Sequence, residues 1–170
     1  MLQVLRITDR SRDSQIRGLE IEYFTWVNAQ LTEEFGIALD INALIANDFA
    51  HMEIYLPPDG GLFLAEDGAN LVGMIFLTKL REGVGQIRRM YVRSADRRRG
   101  IGRALFEAAI AYARDIGYTS LLLESPMSWK GAHALYHSLN FEATAMYPES
   151  EVPEHLRKYW VFMQLNLGLV

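Results

Sequence analysis

The chain has 170 residues, half of them apolar and 22% charged, with a formal net charge of −4, which is the size and composition of one globular domain with one sizeable core spanning residues 1–170. The acidic balance argues against a general nucleic-acid binder, which is usually basic, and the absence of cysteine excludes disulfides, zinc–thiolate sites and thiol nucleophiles. No apolar run is long enough to span a bilayer and the N-terminal MLQVLRITDR lacks an apolar core of signal-peptide length, so a cytoplasmic protein without a membrane partner is expected.

Gln3–Ile7 reads as a first strand. Asp13 or Ser14 is placed to cap the helix that follows, in which Ile16, Leu19, Tyr23, Trp26, Val27 and Gln30 recur at roughly helical spacing up to Phe35, with Gly36 as the stop. Asp40 opens a second helix carrying Ile41, Leu44, Ile45, Phe49 and Met52, and Pro57-Pro58-Asp59-Gly60-Gly61 ends it. The period then changes to strand. Leu62–Ala65 and Leu71–Leu80, joined at Asp67-Gly68-Ala69-Asn70, predict a β-hairpin with a loop of about four residues. Gln86–Val92 is a further strand after the Gly83 and Gly85 turn.

From Gly100 the helical period returns: Ile101, Leu105, Ala108, Tyr112 and Ile116 form one stripe that Gly117 terminates. Thr119–Glu124 reads as a short buried strand. Lys130–Leu139 reads as a helix with Ala132, Leu135, Tyr136 and Leu139 on one face, after which Asn140 tolerates the left-handed turn. Phe141–Met146 and Tyr159–Leu165 are expected to be closing strands joined by a polar Pro148–Arg157 loop. The order β-αα-βββ-α-β-α-β-β describes a mixed α/β domain around one central sheet.

Chemistry concentrates in Gln86–Leu105, QIRRMYVRSADRRRGIGRAL, where a strand runs through a basic turn and glycines into a helix start. The first amides of a helix have no partner within it, carry partial positive charge and hold phosphate. Gly100 and Gly102 remove side chains where backbone must approach an anion, and Arg97, Arg98, Arg99 and Arg103 surround that point. A pyrophosphate matches this set. A kinase-type P-loop would need GxxxxGK[ST], whose Lys-Ser/Thr ending is missing, and a dinucleotide fold would need a third glycine after its first strand.

Arg97-x-x-Gly100-x-Gly102 resembles the [R/Q]xxGx[G/A] signature of the GNAT superfamily of acetyl-CoA-dependent N-acetyltransferases, and Met90-Tyr91-Val92 upstream sits as in its members. Ala132-His133-Ala134-Leu135-Tyr136 followed by Asn140-Phe141 resembles their AxxLYxxxGF segment. Trp129 stands where members often carry Asn, and Asn140 replaces the usual glycine. The resemblance implies a GNAT-like, mostly antiparallel sheet flanked by helices. It also implies transfer of acetyl from acetyl-CoA to a small-molecule or peptide amine, with no metal. By the same resemblance Met90, Tyr91, Val92, Arg97, Arg98, Arg99, Gly100, Ile101, Gly102, Arg103 and Ala104 would hold the coenzyme, and Tyr136 would be the general acid. Met90 and Val92 would act chiefly through their backbone groups.

Competing readings of the same residues are structural. Tyr136 lies on an apolar stripe, as a core tyrosine would. Tyr23, Phe24 and Trp26 read as core, although the first two helices wall the acceptor site in the resembled family. His133 and His137 are four apart on one helix, but no acidic third ligand accompanies them. Glu124 at its strand end, or Glu34 or Asp40 near the junction of the first two helices, is a candidate base, and Arg88 or Arg89 a candidate for an acceptor carboxylate. A catalytically silent acyl-CoA sensor would keep the pocket without needing Tyr136. A homodimer is compatible with the sequence.

Overall fold

The computed structural model describes residues 1–168. The elements are β1 (Leu2–Ile7), α1 (Asp13–Phe35), α2 (Ile41–Ala50), β2 (Gly61–Asp67), β3 (Asn70–Arg81), β4 (Val84–Val92), α3 (Ile101–Asp115), β5 (Ser120–Pro126), α4 (Lys130–Ser138), β6 (Glu142–Ala143) and β7 (Trp160–Asn166), with single 3₁₀ turns at Met52–Tyr55, Ser94–Asp96 and Glu154–Tyr159. The strands form one sheet in the order β1-β2-β3-β4-β5-β7-β6. Every neighbouring pair is antiparallel except β4 and β5. The element order and the largely antiparallel sheet agree with those expected from the sequence.

Helices cover both faces. Ile16, Leu19 and Phe24 of α1 and Ile45 and Phe49 of α2 bury themselves on Leu62, Leu64, Met74, Phe76 and Tyr91. On the opposite face Ile101, Leu105, Phe106, Ala109 and Tyr112 of α3, with Tyr136 of α4, pack on Phe63, Ile75, Leu77, Ile87, Leu121 and Leu123. Residues of β3 therefore alternate between two apolar layers, which is why the strand reads as an unbroken apolar run. A third, smaller cluster joins Leu122 and Phe162 to Tyr147, Val152 and Leu156 of the segment between β6 and β7.

Four local expectations change. The hairpin loop is two residues, because Asp67 pairs with Asn70. Helix α1 begins after Arg12 without a side-chain cap; Asp13 is already helical, and its carboxylate accepts from Arg10 Nε at 2.7 Å. The strand expected over Phe141–Met146 is only Glu142–Ala143, since Phe141 is buried beside Phe106 and Tyr136 rather than laddered. The Pro148–Arg157 loop runs into the turn at Glu154–Tyr159. Asp40 caps α2 by accepting from the Ala43 amide at 3.0 Å, as its position suggests. Gly36 and Asn140 take left-handed backbone, φ 67° and 66°.

Two irregularities of β4 shape the site. Its parallel ladder with β5 runs from Val84↔Ser120 to Gln86↔Leu122 and stops, so the two strands part beyond that point. Between the pairs Phe76↔Arg88 and Met74↔Tyr91, both Arg89 and Met90 stand against Ile75 alone, a β-bulge in which Arg89 has φ 51°.

Candidate functional site

The parted strands open a cleft of about 700 Å³. One wall is the outer part of β4, at Met90, Tyr91 and Val92. The end is the turn Arg97–Arg98 with Gly100–Arg103, and the other wall is the start of α4 with Ala132, Leu135 and Tyr136. The cleft passes through the plane of the sheet, because Tyr91 belongs to the α1–α2 layer while Leu135 and Tyr136 belong to the α3–α4 layer.

The turn end of the cleft is built by backbone. Arg98 and Gly100 are both left-handed, φ 62° and 79°, and fold the turn back onto the helix start. The first intrahelical bond of α3 is Ala104 N to Gly100 O at 3.0 Å, leaving the amides of Ile101, Gly102 and Arg103 without an acceptor inside the helix. A Cβ placed on Gly102 would come within 2.8 Å of Met90 Cε and 3.1 Å of Leu135 Cδ2, so a side chain here has to displace the cleft walls or enter the cleft.

The arginines divide by role. Arg97 Nε donates to Val92 O at 3.1 Å and its guanidinium lies 4.8 Å over the Trp26 ring, which ties the turn to β4 and α1. Arg103 lines the cleft and donates to Ser138 Oγ at 2.7 Å. Arg98 lines the cleft and makes no side-chain bond among the described residues. Arg99 turns away to Asp67 and Asp96 at 2.5 and 2.7 Å, and neither it nor Ala104, whose amide is used in the helix, lines the cleft.

Tyr136 is 8% exposed, packed edge-on against Phe106 at 5.5 Å and beside His133 at 6.0 Å. Burial pushes its phenol well above the ordinary range; Tyr23 adds to this and Ser125 opposes it. His133 is held below the usual imidazole value by burial and by Lys130, and its Nε2 lies 3.2 Å from Ser125 Oγ. No group of three or more His, Asp or Glu suited to a metal occurs among the described residues.

Two aromatic residues also line the cleft: Trp26, which reads from the sequence as core on a helix expected to wall the acceptor site, and Trp129, which stands where the resembled family often has Asn. Trp26 on α1 stacks on Trp129, ahead of α4, with centroids 4.8 Å apart, so the pair bridges the opening. Ser128 Oγ donates to Glu34 Oε2 at 2.5 Å across the same gap. The Trp129 indole N–H is buried without an acceptor. Nothing in the spacing of Trp26 distinguished it from its core neighbours, because α1 must pack and wall the cleft along one face.

Glu124 does not line the cleft volume. It stands on β5 on the α1–α2 side of the sheet, where burial raises its carboxyl, while Ser150, Tyr147 and Arg88 pull the other way. Its Oε2 is buried without a partner. Of the other base candidates, Glu34 is held by Ser128 and Asp40 by its capping bond. Arg89 is bidentate to Asp48 at 2.6 and 3.0 Å and lies 4.9 Å over Phe24, whereas Arg88 pairs with Glu151 at 2.9 Å.

The sequence pattern described as the acetyltransferase (GNAT) family matches residues 20–141. The chain belongs to the GNAT acetyltransferase family. Within it, the protein is 33% identical over 95 residues to N-acetyltransferase 8F1 of Rattus norvegicus, a stretch covering 53% of this chain and 43% of that protein, so the match spans less than half of the relative's length. Its fold is similar to a GNAT acetyltransferase of Staphylococcus aureus Mu50, at TM-score 0.76 and 21% identity over 99% of this chain and 100% of that one. It is also similar to PaiA N-acetyltransferase of Thermoplasma acidophilum, solved in complex with coenzyme A, at TM-score 0.72 and 14% identity over 98% and 99% of the two chains. The N-terminal start of the family match falls inside α1, so the GNAT region takes in the cleft and both of its walls.

Proposed function

We propose that residues 1–170 form one catalytic domain that transfers acetyl from acetyl-CoA directly to an amine. The observation that carries this is the joining, in one cleft between parted strands, of three unpaired helix amides at one end and a buried phenol on the wall. The residues fit the coenzyme. The amides of Ile101, Gly102 and Arg103, with Arg98 and Arg103, suit a pyrophosphate. The β5-facing edge of β4 beyond Gln86 is free of a strand partner and suits the amide-bearing arm. The orphaned Trp129 N–H at the wall is what a ligand carbonyl would satisfy.

Acetyl-CoA supplies a thioester, whose C–S bond breaks as the new C–N bond forms. Around it the chain's own groups move protons. Glu124, whose carboxyl is raised by burial, takes a proton from the incoming ammonium, directly or through water, and frees the nitrogen lone pair. The backbone at the Met90 bulge polarises the acyl oxygen. Tyr136 gives its proton to the departing sulfur and recovers one from the acylated nitrogen. A phenol kept protonated by burial is ready for that role at neutral pH.

The test is thiol release from acetyl-CoA across an amine panel, together with calorimetric CoA binding. Wild type is expected to bind CoA and release thiol with at least one amine, and Gly102→Val to lose CoA binding while retaining its circular dichroism spectrum. Unchanged CoA affinity in folded Gly102→Val overturns the placement of the coenzyme.

A further inference from the structure

On the α1–α2 face of the sheet, Gln86 and Leu122 are the last bonded pair of β4 and β5. Gln86 Nε2 donates to Tyr147 Oη on this face at 2.9 Å, and Leu122 packs against the same tyrosine. Two residues further along each strand, still on this face, come Arg88 and Glu124. Arg88 lies opposite Phe76 of the α1–α2 layer, and Glu124 lies opposite Phe162. Had the ladder continued, these two would face one another as a salt bridge. The parting of the strands prevents it, and no ion pair joins them. An opposed cation and anion therefore flank the gap.

Neither charge is fully met by the protein. Glu124 Oε2 is buried without a hydrogen-bond partner. The ion-pair partner of Arg88 is Glu151, a side chain 75% exposed on the segment between β6 and β7, while Arg88 itself is 20% exposed. Arg88 is near enough to Tyr23, Tyr55, Tyr147 and Glu124 to bias all four. Its neighbour Arg89 is spent: it is bidentate to Asp48, which is 2% exposed. The bulge thus presents two guanidiniums on one face, one locked under the helices and one held only by a surface carboxylate. Glu151 then occupies the position of an exchangeable anion.

We propose that the acceptor is an amino-acid-like zwitterion, its ammonium held by Glu124 and its carboxylate by Arg88 in place of Glu151. This rests on the transfer reading above, because it names the acceptor of that reaction. A compound with opposite charges a few bonds apart satisfies both sides of the gap, whereas a simple amine leaves Arg88 on its surface partner. Charge-assisted bonds of this kind contribute about ten- to hundredfold in affinity.

The experiment is calorimetric titration of CoA-saturated protein with matched triples: methionine, phenylalanine and alanine, each beside its α-amide and its decarboxylated amine. In at least one triple the free acid is expected to bind at least about tenfold more tightly than its amide and amine. Arg88→Gln is expected to erase that advantage without weakening the amine. Glu151→Gln, which removes the competing carboxylate, is expected to tighten the acid. The inference is overturned if no triple favours the acid, if Arg88→Gln weakens acid, amide and amine alike, or if Glu151→Gln weakens the acid. Should Arg88→Gln fail to fold, the Glu151→Gln result decides by its sign. Thiol release on the same triples separates the two claims: acid-selective binding without turnover supports the zwitterion site and overturns acetyl transfer.

Discussion

Tyr136 is placed by packing, and the proposed transfer uses its hydroxyl. Phe106, Phe141 and His133 surround the ring, so Tyr136→Phe should leave fold and CoA affinity unchanged and remove only the proton donor. Turnover on acetyl-CoA is expected to fall about a hundredfold, the range of a general acid. The loss should shrink with an acyl donor whose thiol has a lower pKa, which leaves without help. Steady-state thiol release with the two donors checks this, and an equal loss for both would mean a packing defect. That Tyr136, Gly100 and Gly102 line one cleft was legible in the sequence because their signal is local: fixed spacings on a strand–turn–helix and on one helix face. The different fates of Arg88 and Arg89 were not legible. Neighbouring strand residues should point to opposite faces, and only the bulge with its left-handed Arg89 turns both to one side. Arg99 was equally opaque, since the partners that draw it away, Asp67 and Asp96, include one about thirty positions distant in the chain.

At the scale of elements, α1, α2 and β4 meet around a buried charge cluster. Glu20 of α1 is fully buried and Asp48 of α2 nearly so, with Arg89 of β4 between the helices and the sheet. Asp48 alone takes the Arg89 guanidinium, both Glu20 oxygens are buried without a bonded partner, and Arg89 and Arg17 act on Glu20 only through their charge, so one carboxyl keeps its proton. That carboxyl is Glu20, raised from 4.5 to about 9 by burial first and by Asp48 second, against the pull of Arg89 and Arg17. The native state therefore holds a proton that the unfolded chain has released between those two values. The Glu20 contribution to stability is whole below about pH 4.5, and it is lost progressively as the pH rises to about 9. Glu20→Gln, neutral at every pH, should flatten the decline of melting temperature between pH 5 and 9, while Asp48→Asn, which strips Arg89 of its counter-charge, should destabilise throughout. A decline as steep in Glu20→Gln as in wild type would mean that other groups cause it. The existence and order of these elements were readable from periodicity. The cluster was not, because three polar residues on separate elements look like ordinary surface positions until the fold brings them together.

Across the whole molecule, β1 to β4 and the two N-terminal helices form one half, and β5, β7 and β6 with α4 form the other. The sheet is continuous between them through only three backbone pairs, Val84–Ser120, Gly85–Leu121 and Gln86–Leu122. At the cleft the halves touch through Trp26 on Trp129 and Glu34 on Ser128, and away from it α3 packs on strands of both while Arg81–Glu149, Gln86–Tyr147 and Arg88–Glu151 tie β3 and β4 to the segment after β6. Such a seam is a short hydrogen-bonded line beside open space that a long, thin ligand would fill. Coenzyme bound there would act as the missing stretch of sheet and add a further link between the two halves at their open end. Amide hydrogen exchange should therefore slow on adding CoA in β5 and α4 as well as in the turn proposed to hold the pyrophosphate. Protection confined to that turn would show the halves already cooperate without it. The parting of two strands that opens this room would also make a ligand bound there a structural member of the fold.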